Sequence, residues 1–520
     1  MRENIRRDLS IAGLALILLV GAPGGSLAQG ELSGGLGVFV DPPRARPRSK
    51  PRERAAAPRK YASPRVRRGG SAARPSTATT ATTTSTAGRT TPPRETTRET
   101  TRDTTADTTR ETAGDTRRRP TPAVTADSLN EKAEAAITAG RFAEAVEPLR
   151  EAVKLDPGFA DAQYNLGFAL ASLDKHEEAV GPLQRATQLD PKDAEAFGQL
   201  AASLSKLGRH AEAVAAYEAV DRLNPPEAET LYALGAAREA AGDTDRAIEA
   251  YRRAVSLKPD HAEALFDLGD LYYAKGKFAE AADAYKQVAR LTPLNVEAHT
   301  NLGDAARAAG RFAEAAAAYR EAARLKPDDA DVRHHLGYSL GRERRWPEAA
   351  DALRQSLRLR PDNHEAAVNL AWVLNNSGQF QESISTLTRL IAQSPDLPAA
   401  HFNLGIAYGR LAQARGQKES EKKTLLTQAV ESFRQAVRLR PDWAEAHNNL
   451  GYALGSTGRF REAIAAHAEA LRLKPDYAGA LFNLAYAYRR SGDKKQALQV
   501  YQQLAALNPA LAEKLYPLIK

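Results

Sequence analysis

The residues best able to do chemistry in this sequence are its ten histidines: His176, His210, His261, His299, His334, His335, His364, His401, His447 and His467. His176-Glu177 and His364-Glu365 begin as a His-Glu-x-x-His zinc helix begins, in which two imidazoles one helical turn apart share a metal and the glutamate activates water. Val180 and Val368 stand where the second imidazole is required, so neither pair forms. Cysteine is absent, which removes thiol nucleophiles, thiolate ligands and disulfides. Gly276-Lys277 is followed by Phe278 instead of the hydroxyl of a phosphate-binding loop, and no Gly-x-Ser-x-Gly elbow occurs. Asp161, Glu195, Glu229, Glu263 and Glu297 recur with no second carboxylate converging on them, as on a solvated face. The expectation is a protein that is not an enzyme and takes no metal and no cofactor.

Recognition is the other chemistry on offer. Asn165, Asn301, Asn369, Asn403, Asn449 and Asn483 are each followed by Leu and then by Gly or Ala. A carboxamide carries both a donor and an acceptor and can match a peptide backbone group by group. Aromatic residues stand close by in sequence: Trp372, Phe402, Tyr452, Phe482 and Tyr486, with Tyr164 and Phe168 nearer the start. Two uses are open. The row grips an extended segment of a partner protein, most strongly from Asn369 to Asn483, or the asparagines bond locally and the aromatics pack between helices.

The elements that hold these residues follow from a period. Prolines 157, 191, 225, 259, 293, 327, 361 and 395 are 34 residues apart, and after a 46-residue step the spacing resumes at 441, 475 and 509. Eleven units therefore run from 126 to 511, one with a 12-residue insertion near 412–424. With the proline as position 32, position 7 is Leu in units two to eleven, position 8 is Gly or Ala, and position 20 is Ala with Ser383 the exception. Positions 4, 7, 8 and 11 share one face of a first helix, and 20, 24 and 27 one face of a second. Small residues at 8 and 20 allow close approach, while Leu at 7 and large residues at 24, such as Tyr217, Tyr251, Tyr285 and Tyr319, fill the gap. Glycine commonly separates the two helices, as a helix C-terminus prefers. One unit cannot cover its own apolar face, so neighbours must stack. His299, His401 and His447 then fall at packing position 4. The mixed-charge insertion, with Gln417-Lys418-Glu419-Ser420-Glu421-Lys422-Lys423, reads as a helix extension, with a docking loop as the sharper alternative.

This pattern resembles the tetratricopeptide repeat family, as Asn449-Leu450-Gly451-Tyr452, Ala463, Ala470 and Pro475 illustrate. The resemblance implies an all-α fold, a right-handed α-solenoid or superhelix of about eleven helix-turn-helix repeats whose first helices line a concave side. The Asn-Leu-Gly pattern is similar to the superhelical repeats of the O-linked N-acetylglucosamine transferase family, in which a comparable asparagine row grips extended polypeptide. The expectation is a chain without that family's transferase domain. Relatives that clamp a C-terminal carboxylate use basic residues on inner helices, and Arg410, Arg489 and Arg490 are too scattered for that mode. Lys132 at position 7 of unit one and a short amphipathic helix over 510–520 fit capping ends.

The chain has 520 residues, 42% hydrophobic and 26% charged, with net charge +9. Residues 1–125 carry +12 of this and the remainder −3, so the basicity belongs to the N-terminal part. Residues 1–28 have the layout of a signal peptide: Arg2, Arg6 and Arg7, an apolar run from Ile11 to Val20, and Ser26-Leu27-Ala28. That run is too short to span a bilayer as a helix. Residues 29–124, rich in Arg and Pro and then in Thr, cannot bury enough apolar surface to fold alone and read as a disordered linker. Its Arg-rich half could meet an anionic envelope surface, and its Thr-rich half could be glycosylated. Nucleic acid is not an expected partner, because no aromatics interleave with the arginines. The sequence thus predicts an exported, periplasmic or envelope-side scaffold without a transmembrane helix in its mature form, binding extended segments of protein partners. Two alternatives stay open: an envelope- or polyanion-associated protein whose basic arm carries the function with the repeats as spacer, and a non-catalytic partner of a glycosyltransferase.

Overall fold

The computed structural model describes residues 124–520 apart from Pro226 and Arg415. The expected signal over 1–28 and the expected linker lie outside the described residues, save Val124. The described residues contain 23 helices and no strand. They divide into two compact units, one with residues 124–257 and the other with residues 258–520.

Within each unit the chain is a succession of helix pairs in which first and second helices alternate and each packs on the next. In repeat six the pair is Val296–Ala308 and Phe312–Leu325, and in repeat seven Ala330–Arg342 and Trp346–Leu359. The first helix begins at position 1 and the second at position 17. The recurrent acids at position 2, such as Glu195, Glu297 and Glu365, therefore sit in the first helical turn, where the macrodipole favours negative charge. Asp193, Asn295, Asp329 and Asn363 precede these helices and cap them by accepting backbone N–H bonds through their side chains.

Outside repeat nine, the turn between paired helices is a Schellman-type motif. In repeat one Arg141 N donates to Ala136 O and Gly140 N to Ile137 O, with Gly140 at φ 73°. Most repeats place glycine at this left-handed position. Repeats two and seven use Asp174 at φ 57° and Arg344 at φ 58°.

Position 8 explains the closeness of the pair. A Cβ on Gly303 would lie 2.6 Å from the Tyr319 ring, and one on Gly405 would lie 2.7 Å from Phe433. The large residue at position 24 thus occupies the volume that the missing side chain leaves. Three of these tyrosines carry their hydroxyls on to a first-helix carboxylate: Tyr251 donates to Glu239 at 2.8 Å, Tyr285 to Asp270 at 2.5 Å and Tyr319 to Asp304 at 2.6 Å. The phenols of these three are satisfied in this way.

The insertion lengthens both helices of repeat nine, to Pro398–Gln413 with 16 residues and Glu419–Leu439 with 21, against 13 and 14 in most repeats. A last helix, Pro509–Ile519, buries Leu511, Leu515 and Ile519 against repeat eleven. No helix among the described residues is long and apolar enough to cross a membrane.

Candidate functional site

First helices pack directly against one another in several successive repeats: one and two, two and three, seven and eight, eight and nine, and ten and eleven. Side chains on this face therefore meet across repeat boundaries, and here the asparagine row is assembled. Asn165 donates to Asn130 Oδ1 at 3.0 Å, Asn369 meets His334 Nε2 at 3.0 Å, and Asn483 donates to Asn448 Oδ1 at 3.1 Å. Each bond spans 35 residues, from position 6 to position 5 of the preceding repeat. The row is thus a set of clasps between repeats wherever position 5 is polar.

The other three asparagines have different surroundings. Position 5 of the repeat before Asn301 is Phe266, and the Asn301 carboxamide is buried with neither Nδ2 nor Oδ1 partnered. Asn449 donates to Glu445 O one turn back, at 2.8 Å. Asn403 is fully buried, and its backbone carbonyl accepts from Asn375 Nδ2 at 3.0 Å.

The aromatics divide into two groups. Trp372, Tyr452 and Tyr486 are half-buried on the first-helix face. Trp372 meets Trp346 edge-on with centroids 5.3 Å apart, and burial pushes the Tyr452 hydroxyl above its ordinary range. Phe402 and Phe482 are placed in the interior instead. Phe402 lies 4.4 Å from Trp443 and 5.6 Å from Phe433 between ring centroids, and Phe482 joins the apolar cluster under the last helix. Their neighbours explain the burial: Trp443 precedes the next repeat's first helix and covers Phe402, as the last helix covers Phe482.

Several of the histidines have packing partners. His299, His401 and His447 donate through Nε2 to the carbonyls of Pro293, Pro395 and Pro441 at 3.1, 2.8 and 2.9 Å. Arg333 and Gln163 do the same from the same position, to Pro327 and Pro157. Position 4 is thus a brace on the inter-repeat turn, a role signalled in sequence by a donor six residues after each of these prolines. His467 takes the place of the position-24 aromatic, with Nδ1 2.9 Å from Asn448 Oδ1, and burial lowers its pKa to about 3. His334 is lowered to about 4, also by burial. Among the described residues no group of three His, Cys, Asp or Glu is placed to hold a metal.

The family profile described as Tetratricopeptide repeat matches residues 130–194, 199–262, 232–293, 266–330 and 335–398. A TPR repeat profile matches 426–458, and a further Tetratricopeptide repeat profile matches 456–515. No curated protein matches the sequence. Among solved structures, MamA from Desulfovibrio magneticus RS-1 is 26% identical over 32% of this chain and 95% of its own, with a TM-score of 0.31. YrrB, titled a TPR protein with an unusual peptide-binding site, is 20% identical over 38% of this chain and 96% of its own, with a TM-score of 0.32. The Cut9-Hcn1 structure is 15% identical over 76% of this chain and 96% of its own, with a TM-score of 0.36.

Proposed function

The chain belongs to the tetratricopeptide repeat family, and on that premise we propose that it is a non-enzymatic scaffold whose first-helix face, over repeats eight to eleven, holds extended segments of partner proteins. The observation that carries this reading is the recurrence of a half-buried aromatic three residues after the asparagine on the first helices of repeats eight, ten and eleven, Trp372, Tyr452 and Tyr486, with first helices packed directly on one another in repeats eight and nine and in ten and eleven. The clasps at Asn369 and Asn483 fix the spacing of the repeats, so the face is organised before a ligand arrives, and pre-organisation lowers the entropic penalty of binding. The half-buried rings supply apolar contact area, and the half-buried Asn483 adds an amide at the face, while the fully buried Asn369 and Asn403 hold its framework.

The place of action in this reading is the cell envelope, in the assembly of a complex. The signal-like residues 1–28 support export, and the Arg-rich part of the arm would hold the scaffold near an anionic envelope surface. Catalysis forms no part of the proposal: His176, which begins one zinc-helix-like pair, lies 3.7 Å from Asp174, His364, which begins the other, lies 3.2 Å from Ser394 Oγ, and His299, His401 and His447 bind proline carbonyls.

The test is selection of twelve-residue random peptides on the full chain, repeated with the half-buried Trp372, Tyr452 and Tyr486 all replaced by Ala. The parent chain should select a consensus that the variant loses, at unchanged helicity by circular dichroism. Selection of nothing by the parent, or an identical consensus from the variant, rejects the reading.

A further inference from the structure

Arg410 occupies position 13, in the last turn of the first helix of repeat nine. Its Nη1 donates to the backbone carbonyl of Asn375 at 2.8 Å, in the last turn of the preceding first helix. That is the one polar contact of its guanidinium among the described residues. A guanidinium carries five N–H donors in a planar fork, so most of this one is unused. Other arginines of the same unit on first helices have compensation. Arg307 lies 3.9 Å from Asp304, Arg342 stacks 4.3 Å over the Phe312 ring, and Arg489 donates to the carbonyl of Ile519 at 3.2 Å. Arg410 is half-buried with no carboxylate in reach among the described residues, and its burial lowers its pKa. A desolvated charge without a counter-charge is unfavourable by itself and gains strongly from a carboxylate.

A second, independent observation lies beside it. Asn375 is 1% exposed, donates through Nδ2 to Asn403 O at 3.0 Å, and leaves Oδ1 without a donor. One residue thus offers Arg410 its backbone carbonyl and also holds an unsatisfied acceptor, so donors for an anion and an acceptor for an N–H stand together at the junction of repeats eight and nine. An acidic side chain presents the charge that the guanidinium lacks, and Asn375, itself buried, holds the guanidinium in place.

We infer that Arg410 binds the side-chain carboxylate of an aspartate or glutamate in the segment held by the first-helix face, with Asn375 as its neighbour, and so sets a sequence preference there. The inference rests on the peptide-binding reading above. A side-chain carboxylate fits better than a chain terminus, because the face continues past Arg410 through Tyr452 and Tyr486, and a bound segment continues with it. A singly charged carboxylate also fits better than a phosphate, since helix C-terminal carbonyls surround the site and disfavour concentrated negative charge.

The same random peptide library, selected on the full chain and on its Arg410→Gln and Arg410→Glu variants, tests this. The parent should enrich Asp or Glu at one place in its consensus. Arg410→Gln, which keeps a donor for Asn375 O, should lose that enrichment and keep the rest, and Arg410→Glu should replace the acid by Lys or Arg. Glu→Gln in the selected peptide should weaken binding to the parent about tenfold or more, and binding to Arg410→Gln hardly at all. Melting curves control for folding, and Arg410→Lys, which keeps the charge, should retain the acid where Arg410→Gln proves unstable. A parent consensus without an acid, or an acid that survives Arg410→Gln, overturns the inference while leaving the binding face standing. A parent that selects no peptide overturns both.

Discussion

Arg344 holds a backbone conformation, φ 58°, that glycine holds in most other repeats. A left-handed non-glycine residue costs about 1–2 kcal/mol, through the contact of Cβ with the following carbonyl. Arg344→Gly should therefore raise stability by about 1 kcal/mol, as denaturant unfolding would measure, and Asp174→Gly by less, because aspartate tolerates this region better. His467 makes a prediction in pH. Its pKa is about 3 in the fold against an unfolded value near 6.5, so between these limits the unfolded chain binds a proton that the folded chain refuses. The stabilisation is complete above pH 6.5 and is lost as the pH falls, by up to about 1.4 kcal/mol per pH unit. His334 acts in the same direction, down to about pH 4. His467→Phe, which places at position 24 the residue found at Phe433, should flatten the acid limb of the stability curve. A limb of unchanged slope between pH 4 and 6 would show that His467 does not titrate as its burial requires.

At the scale of the element, two glycines four residues apart in the first helix of repeat nine should respond oppositely to the same change. Alanine is favoured over glycine in a helix by about 1 kcal/mol. A Cβ at Gly409 meets nothing within 4 Å, so Gly409→Ala should gain close to that amount. At Gly405 the new atom lies 2.7 Å from the Phe433 ring, and the strain of about 1–3 kcal/mol from overpacking outweighs the propensity. Gly405→Ala should lower the melting temperature and Gly409→Ala should raise it; equal shifts would refute the packing role of position 8. This role is legible in the sequence because it is local: glycine at the turn, proline at position 32 and small residues at 8 and 20 are backbone and volume constraints that act within one repeat. The orientation of the asparagines is not legible in the same way. It depends on the residue 35 positions earlier, and the row changes character as that residue changes from Asn130 to Phe266 to His334. Phe402 is interior for a similar reason, since the ring that covers it, Trp443, lies beyond the insertion.

At the scale of the array within each compact unit, each repeat is held by its neighbours, and a row of ion pairs runs from one to the next in the unit that holds residues 258–520. On the second helices, the basic residue at position 25 meets the glutamate at position 19 of the following repeat: Lys286 with Glu314 at 2.6 Å, Arg320 with Glu348 at 3.2 Å, Arg354 with Glu382 at 2.8 Å and Arg434 with Glu462 at 3.0 Å. Such exposed pairs contribute little singly, so apolar burial between neighbours carries the coupling. Nearest-neighbour coupling makes damage local. Removing residues 509–520 uncovers the face that Leu511, Leu515 and Ile519 bury in repeat eleven, and takes away the carbonyl that Arg489 holds. Each fully buried leucine or isoleucine contributes about 1.5–3 kcal/mol, so the loss of even one raises the opening of repeat eleven about tenfold. Hydrogen exchange in the truncated chain should therefore speed up by at least that factor across Ala478–Leu507, while amides of Ala330–Leu359, four repeats away, keep their protection. A uniform loss of protection from 330 to 507 would mean that these repeats unfold as one cooperative block, and that a ligand held at repeats eight to eleven would stabilise distant repeats as strongly as those it touches.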